Sequence, residues 1–595
     1  MSDHSISRRE FIVTGLSGSA AAASLAPALA DQGGRTTASA AAEPPIALNN
    51  PGPGAWARWL DGRAPAVSTG VTWGTPWPRG KHRHAVTDFC VRAAGGALIP
   101  LQSWPLAFWP DGSLKWTAHA LPIDAEPGAG PWEIVAIRTP VKPESRINVK
   151  EDTTAVDIDT GAITCRINRT GRFVIDSMSR NGHLSLREGR LVLLTQDRTG
   201  TADAPGTINH EAFESRVDRV AVEQQGPVRA VVRIEGSHAG PTDRRWLPFT
   251  LRLYFYSQSD CVRVMHTIVF DGDESRDFIR GIGLRFAIPL SSEVAPHDRH
   301  VRFCGEGSGV FAEAVRGLTG LRRDPGPSAR REQLAGVPVE SIAPQVEPLL
   351  QFVPSFGDWT LLQPTADSFL IRKRTQEGYG WLDADRGRRA AGLGYVGSPQ
   401  GGVAFGIRNF WESHPAQLDI RGAAGEATEV TLWVWAPEAA PMDLRFYHDG
   451  MGQNTYDKQR EGLEITYEDF EPGFGTPVGV ARTSEMCLWV LPGTPARERL
   501  VALADALRTP PVIVPTPQTL QDSGVFASSF ARSAPATPAA QQIEQRLDFL
   551  FDFYREQQDQ RNWYGFWNYG DVMHSYDADR HVWRYDVGGF AWDNS

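Results

Sequence analysis

At 595 residues, with 41% hydrophobic and 22% charged residues, the chain is too long for one core and divides by ordinary domain size into about three or four units. A formal net charge of −10 argues against a nucleic-acid partner, because a phosphate backbone is held by a strongly basic surface. Beyond the N-terminus no apolar run is long enough to cross a bilayer, which excludes a membrane-embedded protein.

The first thirty residues read as an export signal. Ser7-Arg8-Arg9-Glu10-Phe11-Ile12 is a twin-arginine pattern, a mild apolar stretch follows to Leu25, and Ala28-Leu29-Ala30 is a small-x-small cleavage site. Residues 1–30 are therefore expected to act as a twin-arginine signal peptide, engaging the export machinery and delivering the protein to the periplasm or the extracellular space. Residues 31–45 read as a linker. Cys90, Cys165, Cys261, Cys304 and Cys487 are odd in number and widely spaced, so buried, inert thiols are expected rather than a disulfide framework or a zinc site.

From 46 to 145 the chain offers short apolar segments broken by Gly and Pro, with Trp56, Trp59, Trp73, Trp77, Trp104, Trp109 and Trp116 in one region; a small β-barrel is predicted. Within it, Arg79-Gly80-Lys81-His82-Arg83-His84 is a concentrated cationic segment, readable as a solvated turn or as a patch for an anion. From 149 to 490 the strand signal dominates. Val156-Asp157-Ile158 and Ile163-Thr164-Cys165-Arg166-Ile167 flank a Thr160-Gly161 turn, and 249–255, 262–270 and 431–435 alternate apolar and polar residues. Long alternating strands without helices between them predict a large antiparallel sandwich. The stretch from Arg322 to Arg331 is expected to be a long exposed loop.

After Cys487 the pattern changes. Thr494-Pro495 opens a helix to about Leu507, stopped by Thr509-Pro510-Pro511, and 491–540 is assigned to this helix and a connector. Ile543, Leu547, Leu550, Phe551 and Tyr554 then recur at helical spacing. The sequence ends in aromatic-rich residues without a taper, so 541–595 reads as the start of a helical domain that is cut short. The fold class is thus multidomain and mainly β, with helices at the end.

Two stretches are specific enough to indicate a family. Trp73-Gly74-Thr75-Pro76-Trp77-Pro78-Arg79-Gly80, Pro100-Leu101-Gln102-Ser103-Trp104 and Phe108-Trp109-Pro110-Asp111-Gly112-Ser113-Leu114-Lys115-Trp116 resemble the N-terminal RIFT barrel of the exo-rhamnogalacturonan lyases, polysaccharide lyase family 26. Pro437-Glu438-Ala439-Ala440-Pro441-Met442-Asp443 and Asn562-Trp563-Tyr564-Gly565-Phe566-Trp567 are similar to later parts of the same family. The resemblance implies a RIFT-type β-barrel, a central β-sandwich and an α/α toroid, here incomplete. It also implies β-elimination on the rhamnogalacturonan I backbone from a chain end, with no cofactor.

Such an elimination requires a base for the proton α to the uronate carboxylate, cations or hydrogen-bond donors for the charge that builds there, and an acid for the leaving oxygen. Lys115, between Trp109 and Trp116, is the first candidate base, against a plain role stacking its stem on indole while bonding Asp111. His119 is a candidate acid, against a structural histidine. His574 and Tyr576 complete the catalytic candidates. Arg79, Arg83, Trp104, Trp109, Tyr569 and Arg584 are expected to bind the acidic polysaccharide. His266, on an apolar strand face, reads as a core histidine, and Asp271-Gly272-Asp273-Glu274 as a hairpin turn rather than a calcium loop. Two other readings remain: a toroid-type glycoside hydrolase using Asp571, Asp586 and Asp593, and a non-catalytic carbohydrate-binding or remnant protein.

Overall fold

The computed structural model describes residues 54–584 except 85–86, 94, 124, 126, 138–140, 142, 144–146, 201–205, 446–456, 459–460, 462–475, 528–536, 568, 570–574 and 578–581. The export signal and linker expected at 1–45 lie outside these residues. Among the described residues no helix is long and apolar enough to cross a membrane.

The tryptophan-rich region folds as two small sheets around an aromatic core. One sheet runs Ile513–Pro515, Ala55–Trp59, Trp132–Ile137, Asp88–Arg92, Leu98–Pro100, and the other Val71–Pro76, Leu114–Leu121, Gln102–Phe108. Trp59, Trp73, Trp77, Phe89, Leu114 and Trp132 fill the space between them, each at most 5% exposed. Buried indoles need partners: Trp77 Nε1–H donates to Thr117 Oγ1 at 2.8 Å and Trp109 Nε1–H to the Trp77 carbonyl at 2.9 Å. Part of the stretch expected to be a connector supplies the edge strand. Ile513–Pro515 pairs with Ala57–Trp59, and Thr519 accepts from Trp56 N at 2.7 Å and donates to Trp56 O at 3.0 Å. A three-residue strand is too short to leave a periodic signal. The short helix after it, Pro517–Ser523, is punctuated by a Thr516 cap and by Gly524 at φ 66°.

Between Asn148 and Leu491 the strands form the expected antiparallel network. Phe249, Leu251, Leu253 and Phe255 on one strand and Val262, Val264 and Ile268 on the next are 0–4% exposed on the inner face, as period-2 alternation requires. His266 shares that face, 1% exposed. The Thr160-Gly161 turn forms with Gly161 at φ 91°, and Asp271 and Asp277 of the acidic turn accept from Leu247 N and Arg244 at 2.7 and 2.6 Å. The expected loop at Arg322 to Arg331 instead runs into a helix, Pro327–Ala335, begun by Pro327 and ended by Gly336 in the left-handed region. Proline at the first turn and glycine just past the last are the signals that composition alone hid.

The outer face of the sheet carrying Ala427–Trp435 is closed by Asp419. Its carboxylate accepts from Thr360 Oγ1 (2.8 Å), Gln417 Nε2 (2.9 Å) and Trp433 Nε1 (2.9 Å) and pairs with Arg421 at 2.8 Å. Asp419→Leu strands several buried donors at once and is expected to cost the sandwich about 3 kcal/mol in chemical denaturation.

The helix Arg497–Arg508 lays Leu500, Leu503 and Leu507 on Tyr395 and Trp489. The predicted C-terminal helix forms over Pro538–Gln560, capped by Thr537, and Ile543, Leu547, Phe551 and Tyr554 are 41–70% exposed along it.

Candidate functional site

On the barrel, Lys115 carries its ammonium 4.8 Å from the Trp109 ring centroid, a cation–π contact. Asp111 is engaged elsewhere: it accepts from the Ser113 hydroxyl at 2.6 Å and pairs with Arg79 at 3.5 Å, while Arg83 donates to the Asp111 carbonyl at 3.4 Å. Trp104 faces the sandwich, with the Arg229 guanidinium 5.2 Å from its ring. His119 is fully buried between Trp73 and Phe89, its ring nitrogens 2.8 Å from Ser103 Oγ and Thr117 Oγ1. Burial pushes its pKa down to about 3, so the ring is neutral, occupied at both nitrogens and closed to a ligand. Lys115, Trp109, Arg79 and Arg83 gather around the turn at Asp111, while Trp104 faces the sandwich and His119 is closed in the core, and none of them lines the cleft beside the helix Arg497–Arg508 or the cavity at Arg408.

The convergence lies at the other end of the chain. After the strand Gly401–Ile407 the chain turns through Arg408-Asn409-Phe410-Trp411-Glu412-Ser413-His414, and the segment 559–567 docks on that turn. Gly565 N donates to Glu412 O and Phe566 N to His414 O, both at 2.8 Å. The Arg389 guanidinium lies 4.0 Å from the Trp411 ring centroid and 5.5 Å from that of Tyr564, and bonds Asp559 at 2.6 Å and Asp367 at 3.0 Å. Tyr564 donates to Asp559 at 3.2 Å and stacks on Tyr569, centroids 6.3 Å apart. One guanidinium held between two aromatic rings and two carboxylates pins the segment to the turn, and Tyr569 stacks on one of those rings.

Next to this pin is a cavity of about 130 Å³ lined by Arg408, Ser413, Arg482, Glu485 and Phe566 among others. Arg408 is held by Glu485 at 2.9 Å, and Arg482 donates to Ser413 Oγ at 3.2 Å. Burial raises the pKa of the Tyr569 phenol and nearby Glu412 raises it further, with Arg408 and Arg482 pulling the other way; the phenol is a proton donor at neutral pH. Burial likewise raises the Glu412 carboxyl above the usual range, and its Oε2 is buried with no hydrogen-bond partner among the described residues. Arg408 and Glu412 escape period-based reading because they sit in a turn, although a run of polar and aromatic residues between two strands is a visible signal; Arg482 stands at the start of the strand Ala481–Leu491.

A larger cleft of about 670 Å³ separates the barrel from the helix Arg497–Arg508, but Asp61, Glu498 and Asp505 there outnumber Arg63 and Arg497, which does not suit a polyanion, and no Tyr or His lines it. The smaller cavity is lined by Arg408 and Arg482, and the groups that can move a proton, Tyr569 and Glu412, lie beside these guanidiniums without lining the cavity. Of the other sequence candidates, Tyr576 and Arg584 lie on paired strands, Ser575–Asp577 and Val582–Arg584, whose side chains are not described. His574, Asp571, Asp586 and Asp593 fall outside the described residues.

Glu412 also gives a stability prediction. A carboxyl whose folded pKa is raised binds more protons folded than unfolded, so its contribution is present below the unfolded pKa and is lost as pH rises through the folded value. Glu412→Gln is therefore expected to raise the thermal midpoint at pH 8, with the gain fading toward pH 4 in scanning fluorimetry.

Comparison with known proteins covers all three regions. The PcRGLX-like N-terminal RIFT barrel domain matches residues 54–133, the PcRGLX-like central β-sandwich domain residues 147–505, and the PcRGLX-like C-terminal α/α toroid domain residues 510–595. The uncharacterized protein YetA of Bacillus subtilis (strain 168) is 36% identical over 545 residues, 90% of this chain; the chain spans 61% of that relative's length. Among solved structures, an α-mannosidase from Enterococcus faecalis V583 covers 78% of this chain and 46% of its own, at 10% identity and a TM-score of 0.39. A galactose mutarotase-like protein from Clostridium acetobutylicum covers 58% and 98%, at 10% identity and a TM-score of 0.27.

Proposed function

Because the chain belongs to the PcRGLX-like family, we propose that it acts on carbohydrate as an exported polysaccharide lyase, cleaving the rhamnogalacturonan I backbone by β-elimination from a chain end. The observation that carries this reading is that Arg408 and Arg482 line one cavity, with the Tyr569 phenol and the buried Glu412 carboxyl close enough beside it to feel their charge. Arg408 and Arg482 hold the uronate carboxylate and draw off charge as the α-carbon loses its proton. Glu412, more basic than an ordinary carboxylate, takes that proton. Tyr569 gives its phenolic proton to the glycosidic oxygen as the bond to the β-carbon breaks, so a double bond forms between the two carbons. Export is supported by the twin-arginine pattern at Arg8-Arg9.

The test is incubation with rhamnogalacturonan I. A lyase yields a product whose conjugated double bond absorbs in the ultraviolet, in step with new chain ends. New reducing ends without that absorbance would replace this reading with a hydrolase, and neither signal would replace it with a binding protein.

A further inference from the structure

From Arg408 and Glu485 at the cavity, a row of side chains runs out across the sandwich, and beyond Arg408 it has no task in the chemistry above. The strand Gly401–Ile407, which leads into Arg408, pairs with Ala481–Leu491, that with Cys261–Val269, that with Arg245–Tyr256, and that with Arg229–Ala239. Glu485, Arg263, Tyr254 and Arg229 stand on four of these strands. Tyr254 pairs directly with Arg263, Glu485 is two residues from the partner of Arg263, and Arg229 is two from the partner of Tyr254. Alternation therefore sets all four on the outer face.

Their contacts are continuous. Glu485 bridges Arg408 at 2.9 Å and Arg263 at 2.5 Å. The Arg263 and Arg229 guanidiniums lie 5.6 and 4.9 Å from the Tyr254 centroid, and Arg229 also lies 5.2 Å from Trp104 of the barrel. Strand spacing of about 4.8 Å makes the row about 19 Å long before the barrel is reached. It sets three guanidiniums against one carboxylate, and among the described residues no carboxylate lies within ion-pair distance of Arg229, whose guanidinium donates there only to Thr72 Oγ1, at 3.4 Å. Stacking on two rings holds that guanidinium flat and leaves its charge uncompensated.

We propose that this row is a binding track for an acidic polysaccharide, receiving the uronate-bearing chain that extends beyond the cavity and ending at Trp104. Guanidiniums spaced by aromatic rings suit a polymer that alternates carboxylates with flat apolar sugar faces. The proposal rests on the lyase reading for the identity of the sugars but not for the binding itself.

Affinity electrophoresis of the full chain in gels containing rhamnogalacturonan I, polygalacturonate or neutral galactan tests it, with melting temperatures recorded in parallel. The expected result is retardation by the two acidic polymers only, reversed by salt, and weakened by at least about tenfold in Arg229→Gln and in Tyr254→Ala. Arg386→Gln, at an exposed guanidinium paired with Asp383 of its own strand Leu382–Gly387, outside the row, binds as the parent does. Unchanged binding by folded Arg229→Gln and Tyr254→Ala would overturn the track, as would no retardation of the parent or equal retardation by galactan. If binding behaves as expected while no unsaturated product forms, the track stands and the lyase reading falls.

Discussion

Replacing Tyr569 by Phe is expected to lower the rate of unsaturated-product formation from rhamnogalacturonan I by about 10²–10⁴-fold, the usual worth of a positioned proton donor. The change removes one O–H and keeps the ring that stacks on Tyr564, so folding and substrate affinity should hold and the loss should fall on kcat. Arg408→Gln should act differently. It removes charge that meets both the bound carboxylate and the developing one, so KM rises as kcat falls, and it also leaves Glu485 to Arg263 alone. Lys115→Met is the comparison that decides between ends of the molecule. Lys115 sits over Trp109 on the barrel, and if its loss abolishes turnover while Tyr569→Phe is harmless, the chemistry belongs to the barrel and the assignment to the C-terminal cavity is wrong.

The sequence makes the strands of this protein plain because each buries one face: Phe249 to Phe255 alternates so regularly that its inner face can be read off without coordinates. The barrel was legible through its tryptophans, yet the strand Ile513–Pro515 that completes it comes from more than four hundred residues away and is only three residues long. No local pattern records such a pairing. The site was legible in type rather than in place. A search for Lys, His, Tyr and Arg near tryptophan finds Lys115 and Tyr569 alike, but only the folded chain separates an ammonium over an indole from a phenol fixed beside two guanidiniums. His119 shows the same limit, since the spacing that aligns it with Lys115 on one strand says nothing of the Trp73 and Phe89 rings that enclose it. Glu412 and Arg408 were passed over because a turn has no period.

Acidification from pH 7 to pH 5 is expected to cost the sandwich about 4 kcal/mol from its two most deeply buried histidines, and the barrel about 2 kcal/mol from one, with His300, 3% exposed and its pKa pushed down to about 4, adding to the loss in the sandwich. His238 and His266 lie in the sandwich and His119 in the barrel, all at most 1% exposed. Burial pushes their pKa values down to about 4, about 3 and about 3. A base with a depressed folded pKa binds fewer protons folded than unfolded. Its contribution is complete above the unfolded value near 6.5 and drains away as pH falls toward the folded one. Between 6.5 and 5 each ring therefore subtracts about 1.4 kcal/mol per pH unit. Losses of this size rival the whole stability of an ordinary domain, so urea midpoints measured at pH 7, 6 and 5 should fall steeply. His266 offers the clearest control, because its Nε2 has no hydrogen-bond partner among the described residues and Leu can occupy its place on the apolar face with little else disturbed. His266→Leu should remove about a third of the sandwich's pH dependence, His238 and His300 keeping the rest. A parent protein equally stable at pH 7 and pH 5 would mean that these rings accept protons without leaving the core, and the closed packing described around them would then be wrong.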